Sequence, residues 1–385
     1  MKRTTRWLSL IALTGLLGLS APEASAINNA ASYGTQATGT PVTECRDASP
    51  FESIVVSQGI TLELTQADTY RVEVTADRDL LPYLQTEISR HTLNIGYSDG
   101  LSLSKRMPRA TVRVSMPQLE TLCASTQARI LVQETFSASS LDIVLSSGAL
   151  VQGTFVCDAL NAALSTQSKL QFANADIGSL QVAASTRANV GGSLRFDDAS
   201  ITATSGATLS FDKATGIDFR FDGSTKARMS GTLVCEEITL TASNAVHIQL
   251  DTLSFGNMTA SLTMNSTLQG AATSGEELTL NATFDSTVDL QGTCRSLMAT
   301  ASMRSHLRLL RLTCERAELS AMMSSAISCT AHESLSAQAL QNSRITYAGN
   351  PPQKILNSGI GSTIRKQRAQ QYARHHRYTT HPRTL

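Results

Sequence analysis

Leu141-Asp142-Ile143-Val144-Leu145-Ser146 returns as Leu160-Asn161-Ala162-Ala163-Leu164-Ser165 and again as Leu180-Gln181-Val182-Ala183-Ala184-Ser185. The register continues in Phe219 to Ser224, Ile238 to Ser243, Met258 to Thr263, Leu278 to Thr283 and Leu297 to Ser302. Leading positions fall at 119, 141, 160, 180, 201, 219, 238, 258, 278, 297, about 317 and 335, so the steps are 18 to 22 residues. A fixed period near twenty residues marks a stacked array, in which each repeat buries its apolar side chains against its neighbours. That decides the fold class before any chemical motif is weighed.

A second apolar landmark lies about ten positions after the first, at Leu170, Val190, Met229, Ile248, Leu268, Val288, Leu307 and Ile345. Each repeat therefore carries two or three short strands with inward apolar side chains, separated by Ser, Thr, Asn, Gly or Asp turns. The hydroxyl at the sixth position (Ser146, Ser165, Ser185, Ser224, Ser243, Thr263, Thr283, Ser302) is expected to stack from coil to coil. A leucine-rich repeat has a similar period, but it requires an asparagine ladder and a helical return. Here Ser or Thr occupies the asparagine position and the returns lack helical periodicity. The pattern predicts an all-β chain, a parallel β-helix (β-solenoid) of about twelve coils over 119–351. At about 4.8 Å per coil the rod is on the order of 55–60 Å long.

Residues 50–118 read as nonrepetitive strands capping one end. Ile60, Leu62 and Leu64 alternate with Thr61 and Glu63, Tyr70, Val72 and Val74 with Arg71 and Glu73, and Leu93-Asn94-Ile95 and Thr111-Val112-Arg113-Val114 repeat the pattern. Period-two alternation indicates half-buried strands. At the other end Pro351-Pro352 stops the ladder, since proline donates no backbone hydrogen bond. Residues 352–385 read as a basic, disordered tail with Lys354, Arg365, Lys366, Arg368, Arg374, Arg377 and Arg383 and no acidic residue. Such a tail serves either as a solvated end or as an electrostatic tether to an anionic polysaccharide or membrane surface.

Residues 1–26 read as a signal peptide. Lys2, Arg3 and Arg6 precede an apolar run from Trp7 to Leu19, and Ala24-Ser25-Ala26 offers cleavage after Ala26. Residues 27–49 read as a flexible lead-in. No transmembrane segment is expected in the mature chain, and a net charge of +1 gives no general pull toward nucleic acid. The expectation is an exported protein, in the periplasm, at the cell surface or outside the cell.

Seven cysteines in an exported chain leave at least one unpaired within it. Cys157, Cys235, Cys294 and Cys314 fall 16 or 17 residues after their coil's leading residue, which puts them on one ladder position. Cys294 and Cys314 lie on successive coils, within the Cα range a disulfide allows. The alternative is a column of thiols filling a core.

The segment Phe51-Glu52-Ser53-Ile54-Val55-Val56-Ser57-Gln58-Gly59-Ile60, with Tyr70-Arg71-Val72-Glu73-Val74, Asp79-Leu80-Leu81 and Leu93-Asn94-Ile95, opens a longer likeness. With the Ser-centred repeats and the closing Tyr347-x-Gly349-Asn350-Pro351 and Ser358-Gly359-Ile360-Gly361-Ser362, the chain resembles the putative auto-transporter adhesin, head GIN domain family. The resemblance covers roughly residues 50–365. It implies a right-handed parallel β-helix in a bacterial envelope with an adhesive or surface-binding role, and it brings no catalytic residues. The translocator barrel of an autotransporter is not present in this sequence.

Parallel β-helices also act on polysaccharides, using clustered carboxylates. The densest acidic patch here is Asp197-Asp198, Asp212, Asp218 and Asp222, with Glu236-Glu237 and Glu276-Glu277 at comparable coil positions. The spacing stacks Asp198, Asp218 and Glu237 along one edge, as either turn residues or a calcium or sugar site. His91, His247, His306 and His332 are isolated from further ligands, so no metal, cofactor or catalytic residue is assigned. Lys169, Arg187 and Lys226 fall at similar coil positions, as a basic stripe or a solvated face. The reading is therefore a noncatalytic exported β-helix that binds a surface ligand, a glycan or an envelope protein. The alternative is a polysaccharide lyase or hydrolase using the acidic edge.

Overall fold

The computed structural model describes residues 41–98 and 110–367. Their strands form a single continuous sheet wound into a solenoid, and no α-helix occurs among them. Leading strands are β1 (Pro41–Arg46), β2 (Ser53–Val56), β3 (Thr61–Gln66), β4 (Arg71–Asp77), β5 (Leu84–Ser89), β6 (Thr92–Tyr97), β7 (Thr111–Met116) and β8 (Thr121–Ala124). The long strands β9 (Arg129–Leu145), β10 (Leu150–Leu164), β11 (Lys169–Ala184), β12 (Asn189–Ala203), β13 (Thr208–Ser224) and β14 (Arg228–Ser243) follow. The array continues with β15 (His247–Leu262), β16 (Thr267–Ala282), β17 (Thr287–Ala301), β18 (His306–Ala321) and β19 (Ala326–Ala339). It ends with β20 (Arg344–Ala348), β21 (Gln353–Ser358) and β22 (Thr363–Lys366). The expected signal segment and its cleavage point at Ala26 lie outside the described residues.

One coil shows why the repeat buries what it does. Leu160, Ala162 and Leu164 point inward from one strand run, Leu170 and Phe172 from the next, and Ala175 and Ile177 from the third, all buried. Inward residues stack on their equivalents in parallel register, as in Leu141, Leu160, Leu180, Ala199 and Phe219. A fully buried Leu or Ile removes enough apolar surface from water to contribute about 1.5–3 kcal/mol. The leading position of the coil after Leu180 is thus Ala199 and not residue 201, because Ile201 is the next inward residue on the same strand face. Leu119 likewise precedes the true register, since Thr121 pairs with Asp142.

The corner after the leading strand is a tight turn with two successive left-handed residues. Thr166 and Gln167 have φ of 48° and 62°, and Thr186 and Arg187 49° and 61°. Left-handed backbone costs a non-glycine residue about 1–2 kcal/mol, so something must offset it at every coil. Hydrogen bonds along the axis do: Gln167 N–H donates to Thr186 O at 3.0 Å, and Arg187 N–H to Ser205 O at 3.1 Å. Ser125-Thr126, Ser165-Thr166 and Ser185-Thr186 are therefore corner residues.

The hydroxyls expected to stack at the sixth position are half-buried at this corner. The buried ladder runs three residues later, through Ser266, Ser286, Ser305, Ser325 and Ser343. Ser286 N–H donates to Ser305 Oγ, Ser305 N–H to Ser325 Oγ and Ser325 N–H to Ser343 Oγ, each at 3.2 Å. This satisfies polar groups that would otherwise be costly to bury.

The first coil in sequence is not the first in space. β2 pairs in parallel with both β6 and β8, and β3 with both β7 and β9. The β2–β3 coil thus lies between the β6–β7 layer and the β8–β9 coil. Beyond it β5 runs antiparallel to β6, β4 antiparallel to β7, and β1 antiparallel to β4. The expected lead-in therefore contributes a strand, since Pro41–Arg46 is ordered against β4. At the other end the ladder continues past Pro351: β21 pairs with β19 and β22 with β20. Both prolines sit in the bend between strands, where no ladder donor is needed. The basic, disordered tail expected from Pro352 is therefore corrected for residues 353–366, and the remainder of that segment, 368–385, lies outside the described residues.

Candidate functional site

The acidic edge forms as one column. Asp198 pairs in register with Asp218, Asp218 with Glu237, Glu237 with Asn257 and Asn257 with Glu277. All five residues are exposed. They occupy the bend just before the leading apolar residue, where the side chain is forced outward because its successor points in. Asn257 Nδ2 donates to Glu237 Oε1 at 2.6 Å, so the amide bridges one gap in the carboxylate run. Partial burial, then the charges of Asp198 and Glu237, push the Asp218 carboxyl above its ordinary range, against the pull of Arg220. Asp222 stands on the outer strand face, where Arg220 Nε donates to it at 2.9 Å. Glu276 is held by Arg295 at 2.5 Å. Among the described residues no group of three or more His, Cys, Asp or Glu is arranged to hold a metal ion.

The cysteine ladder also forms. Cys235 pairs with Gly216 and Phe255, and Cys294 with Gly275 and Cys314. Cys157 stands on the same position opposite Ile177. Cys294 Sγ lies 3.0 Å from Cys314 Sγ, with both residues buried as thiols. Burial raises the Cys157 thiol to about 11 and the Cys235 thiol to about 12, and also raises Cys329, which stands off this ladder opposite Leu309 and Tyr347, to about 12. Cys314 is raised strongly by its contact with Cys294 and by burial. Thiolates are the reactive form, so this column has the chemistry of core packing.

The proposed basic stripe does not assemble. Arg187 and Lys226 are both second corner residues, but Lys169 pairs with Leu150 and Asn189 on the following strand. The four histidines stay apart, and His247 Nδ1 is engaged by Thr267 Oγ1 at 2.7 Å.

Two concave surfaces went unnoticed in the sequence because small residues on outward positions give no signal. One, about 400 Å³, spans Asp142, Val144, Asn161, Ala163, Ala183 and Thr202 on the face of the leading strands. The other, about 640 Å³, lies where the strands bulge, beside Ser254, Thr273, Ser274, Gln291 and Arg311. The Thr273 hydroxyl there is buried and has no hydrogen-bond partner in the protein.

A β-solenoid with in-register inward ladders, closed by antiparallel strands at its N-terminal end, defines the class. The profile of the family described as putative auto-transporter adhesin, head GIN domain, matches residues 50–232 and 236–351, and the chain belongs to that family. Among solved structures it is similar to a putative lipid binding protein from Parabacteroides distasonis, at 16% identity over 86% of this chain and 98% of that one, TM-score 0.33. It is also similar to a putative adhesin from Parabacteroides merdae, at 12% identity over 86% and 98%, TM-score 0.31. A putative adhesin from Bacteroides fragilis gives 12% identity over 87% and 100%, TM-score 0.27. No curated protein matches the chain.

Proposed function

We propose that the protein is an exported, noncatalytic surface-binding module that engages an envelope or host-surface ligand, a glycan or a protein, through the repeated outer columns of its solenoid. The observation that supports this most is the in-register outer face. Chemically similar side chains recur at about 4.8 Å, as in the Asp198–Asp218–Glu237–Asn257–Glu277 column, and a repeating face suits a repeating or extended partner. Membership of an adhesin family points the same way. No helix among the described residues is long and apolar enough to cross a membrane.

A second reading follows from the same column. Neighbouring carboxylates with one pKa pushed up are the raw material of acid–base chemistry on sugars. The purified chain, incubated with neutral and anionic polysaccharides in the presence of calcium, separates the two. Retention without chain cleavage supports the binding module. Cleavage that vanishes in Asp198→Ala or Asp218→Ala overturns it in favour of a polysaccharide-active enzyme.

A further inference from the structure

The first left-handed residue of each corner forms a continuous column down the solenoid. Its coils are locked together because the second corner residue donates its N–H to the first corner residue of the next coil. Ala245 N–H donates to Met264 O at 2.8 Å, Asn265 to Phe284 O at 2.9 Å, and Asp285 to Met303 O and Arg304 to Met323 O at 3.0 Å. In the N-terminal half this column reads Thr166, Thr186, Ser205, Thr225 and Asn244, all small and polar. From Met264 onward it turns apolar: Met264, Phe284, Met303 and Met323 are 54%, 48%, 37% and 44% exposed. Gln341 interrupts the run in the next coil, and Ile360, one coil further, is 93% exposed on the same column. Asparagine or glycine would take this backbone most readily. Four bulky apolar residues at φ 52–54° are held there against local preference and against water.

The strand face that follows the ridge is basic. The cations lie in its C-terminal coils: Arg308 on β18, Arg344 on β20 and Arg365 on β22 are exposed, with His306 beside Arg308. Residues 306–310, 326–330, 344–348 and 363–366 contain no Asp or Glu. Two acids beside the ridge are paired: Arg304 holds Asp285 through two hydrogen bonds of 2.9 and 2.6 Å, and Arg311 holds Asp289 at 3.1 Å, whereas Glu318, on the strand entering the Met323 corner, is exposed.

We infer that this ridge and its basic flank dock on the surface of an anionic phospholipid bilayer. The inference rests on the surface-binding reading and names one face and one partner for it. Apolar tips flanked by cations match the boundary between acyl chains and anionic headgroups. A polyanionic sugar would answer the arginines but leave the methionines and phenylalanine in water. A second copy of the chain would bring the same positive flank against its own.

The test is co-sedimentation of the full chain with phosphatidylcholine–phosphatidylglycerol vesicles and with pure phosphatidylcholine vesicles. Binding to the mixed vesicles is expected to exceed binding to the neutral ones by about tenfold and to fall with salt. The combined Met264→Asn, Phe284→Asn, Met303→Asn and Met323→Asn variant is expected to lose about tenfold of it, with circular dichroism unchanged because asparagine accepts the corner backbone. Met303→Trp provides a readout independent of that variant's folding: its added emission shifts to the blue on mixed vesicles. Undiminished binding by the Asn variant, no binding by the wild-type chain, or no blue shift overturns the inference. A parallel column of immobilised anionic polysaccharide separates the two levels of reading. Retention there without vesicle binding sinks the bilayer and leaves the surface-binding module standing. Failure on both sinks both.

Discussion

The ring of Phe255 occupies the space in which residue 275 would carry a Cβ: an alanine methyl at Gly275 would lie 2.0 Å from Phe255 Cε2. The same relation holds three coils earlier, where Phe196 fills the place of a Cβ at Gly216, 2.2 Å away. The two pairs belong to one ladder, which alternates large, absent and small side chains as Phe196, Gly216, Cys235, Phe255, Gly275 and Cys294. Coil spacing is fixed by the backbone hydrogen bonds, so in this ladder each of the two rings lies over a neighbour that has no side chain.

Gly275→Ala is therefore expected to destabilise the solenoid by about 1–3 kcal/mol through overpacking. Adding Phe255→Leu should recover part of the loss. Urea unfolding of the two single variants and the double variant gives the coupling, and additivity within error would show that ring and glycine do not interact.

Much of this was readable beforehand. The Leu141, Leu160 and Leu180 series gave the period, and arithmetic on that period put Cys157, Cys235, Cys294 and Cys314 on one ladder and Asp198, Asp218 and Glu237 on another. Ile201 was mistaken for Ala199 because successive inward positions on a strand differ by two residues, and a larger apolar side chain draws the eye. The apolar ridge was missed for a different reason. Met264 and Phe284 have no propensity for left-handed turns, so nothing local marks them as corners until the coils are superposed.

The buried serine ladder predicts a graded response. Ser305→Ala removes the acceptor of Ser286 N–H, but Ala227 shows the fallback, donating its N–H to Ser224 O at 3.2 Å in its own corner. The cost should be at the low end for a lost buried hydrogen bond, about 1 kcal/mol. Hydrogen exchange at the Ser286 amide should speed up by about tenfold, and an unchanged rate would mean that the hydroxyl carries none of that protection.

The raised thiols make alkaline stability a direct readout of cysteine burial. For Cys157, Cys235 and Cys329 the folded values, about 11, 12 and 12, lie above those of an unfolded thiol. A raised folded value contributes stability that is present below the unfolded value and lost as pH rises through the folded one. The melting temperature should fall between about pH 9 and 12, and Cys157→Ala with Cys235→Ala should flatten that limb. At pH 8 a disulfide reagent should modify the exposed Cys45 rapidly and the buried thiols only on unfolding.

Asp218 obeys the same sign at the other end of the scale. Its carboxyl is raised, so the folded state prefers it protonated, and its contribution is lost as pH rises through that value. Asp218→Asn should raise stability at pH 7 by a few tenths of a kcal/mol, as expected for relieving like charges across strands, and the gain should vanish in acid. A variant that loses stability at neutral pH would show that the carboxylate makes a favourable contact of its own.

The interleaving of β2 and β3 between later strands bears on how such a rod comes into being. A chain delivered end-first cannot seat Ser53–Val56 and Thr61–Gln66 on both sides until residues near Val132 have emerged, because half of their partners have not yet arrived. Once that seam closes, every later turn finds a finished edge waiting and adds to it without searching. The topology thus sets a seam of long-range pairings at the start of the chain and nearest-neighbour pairings behind it.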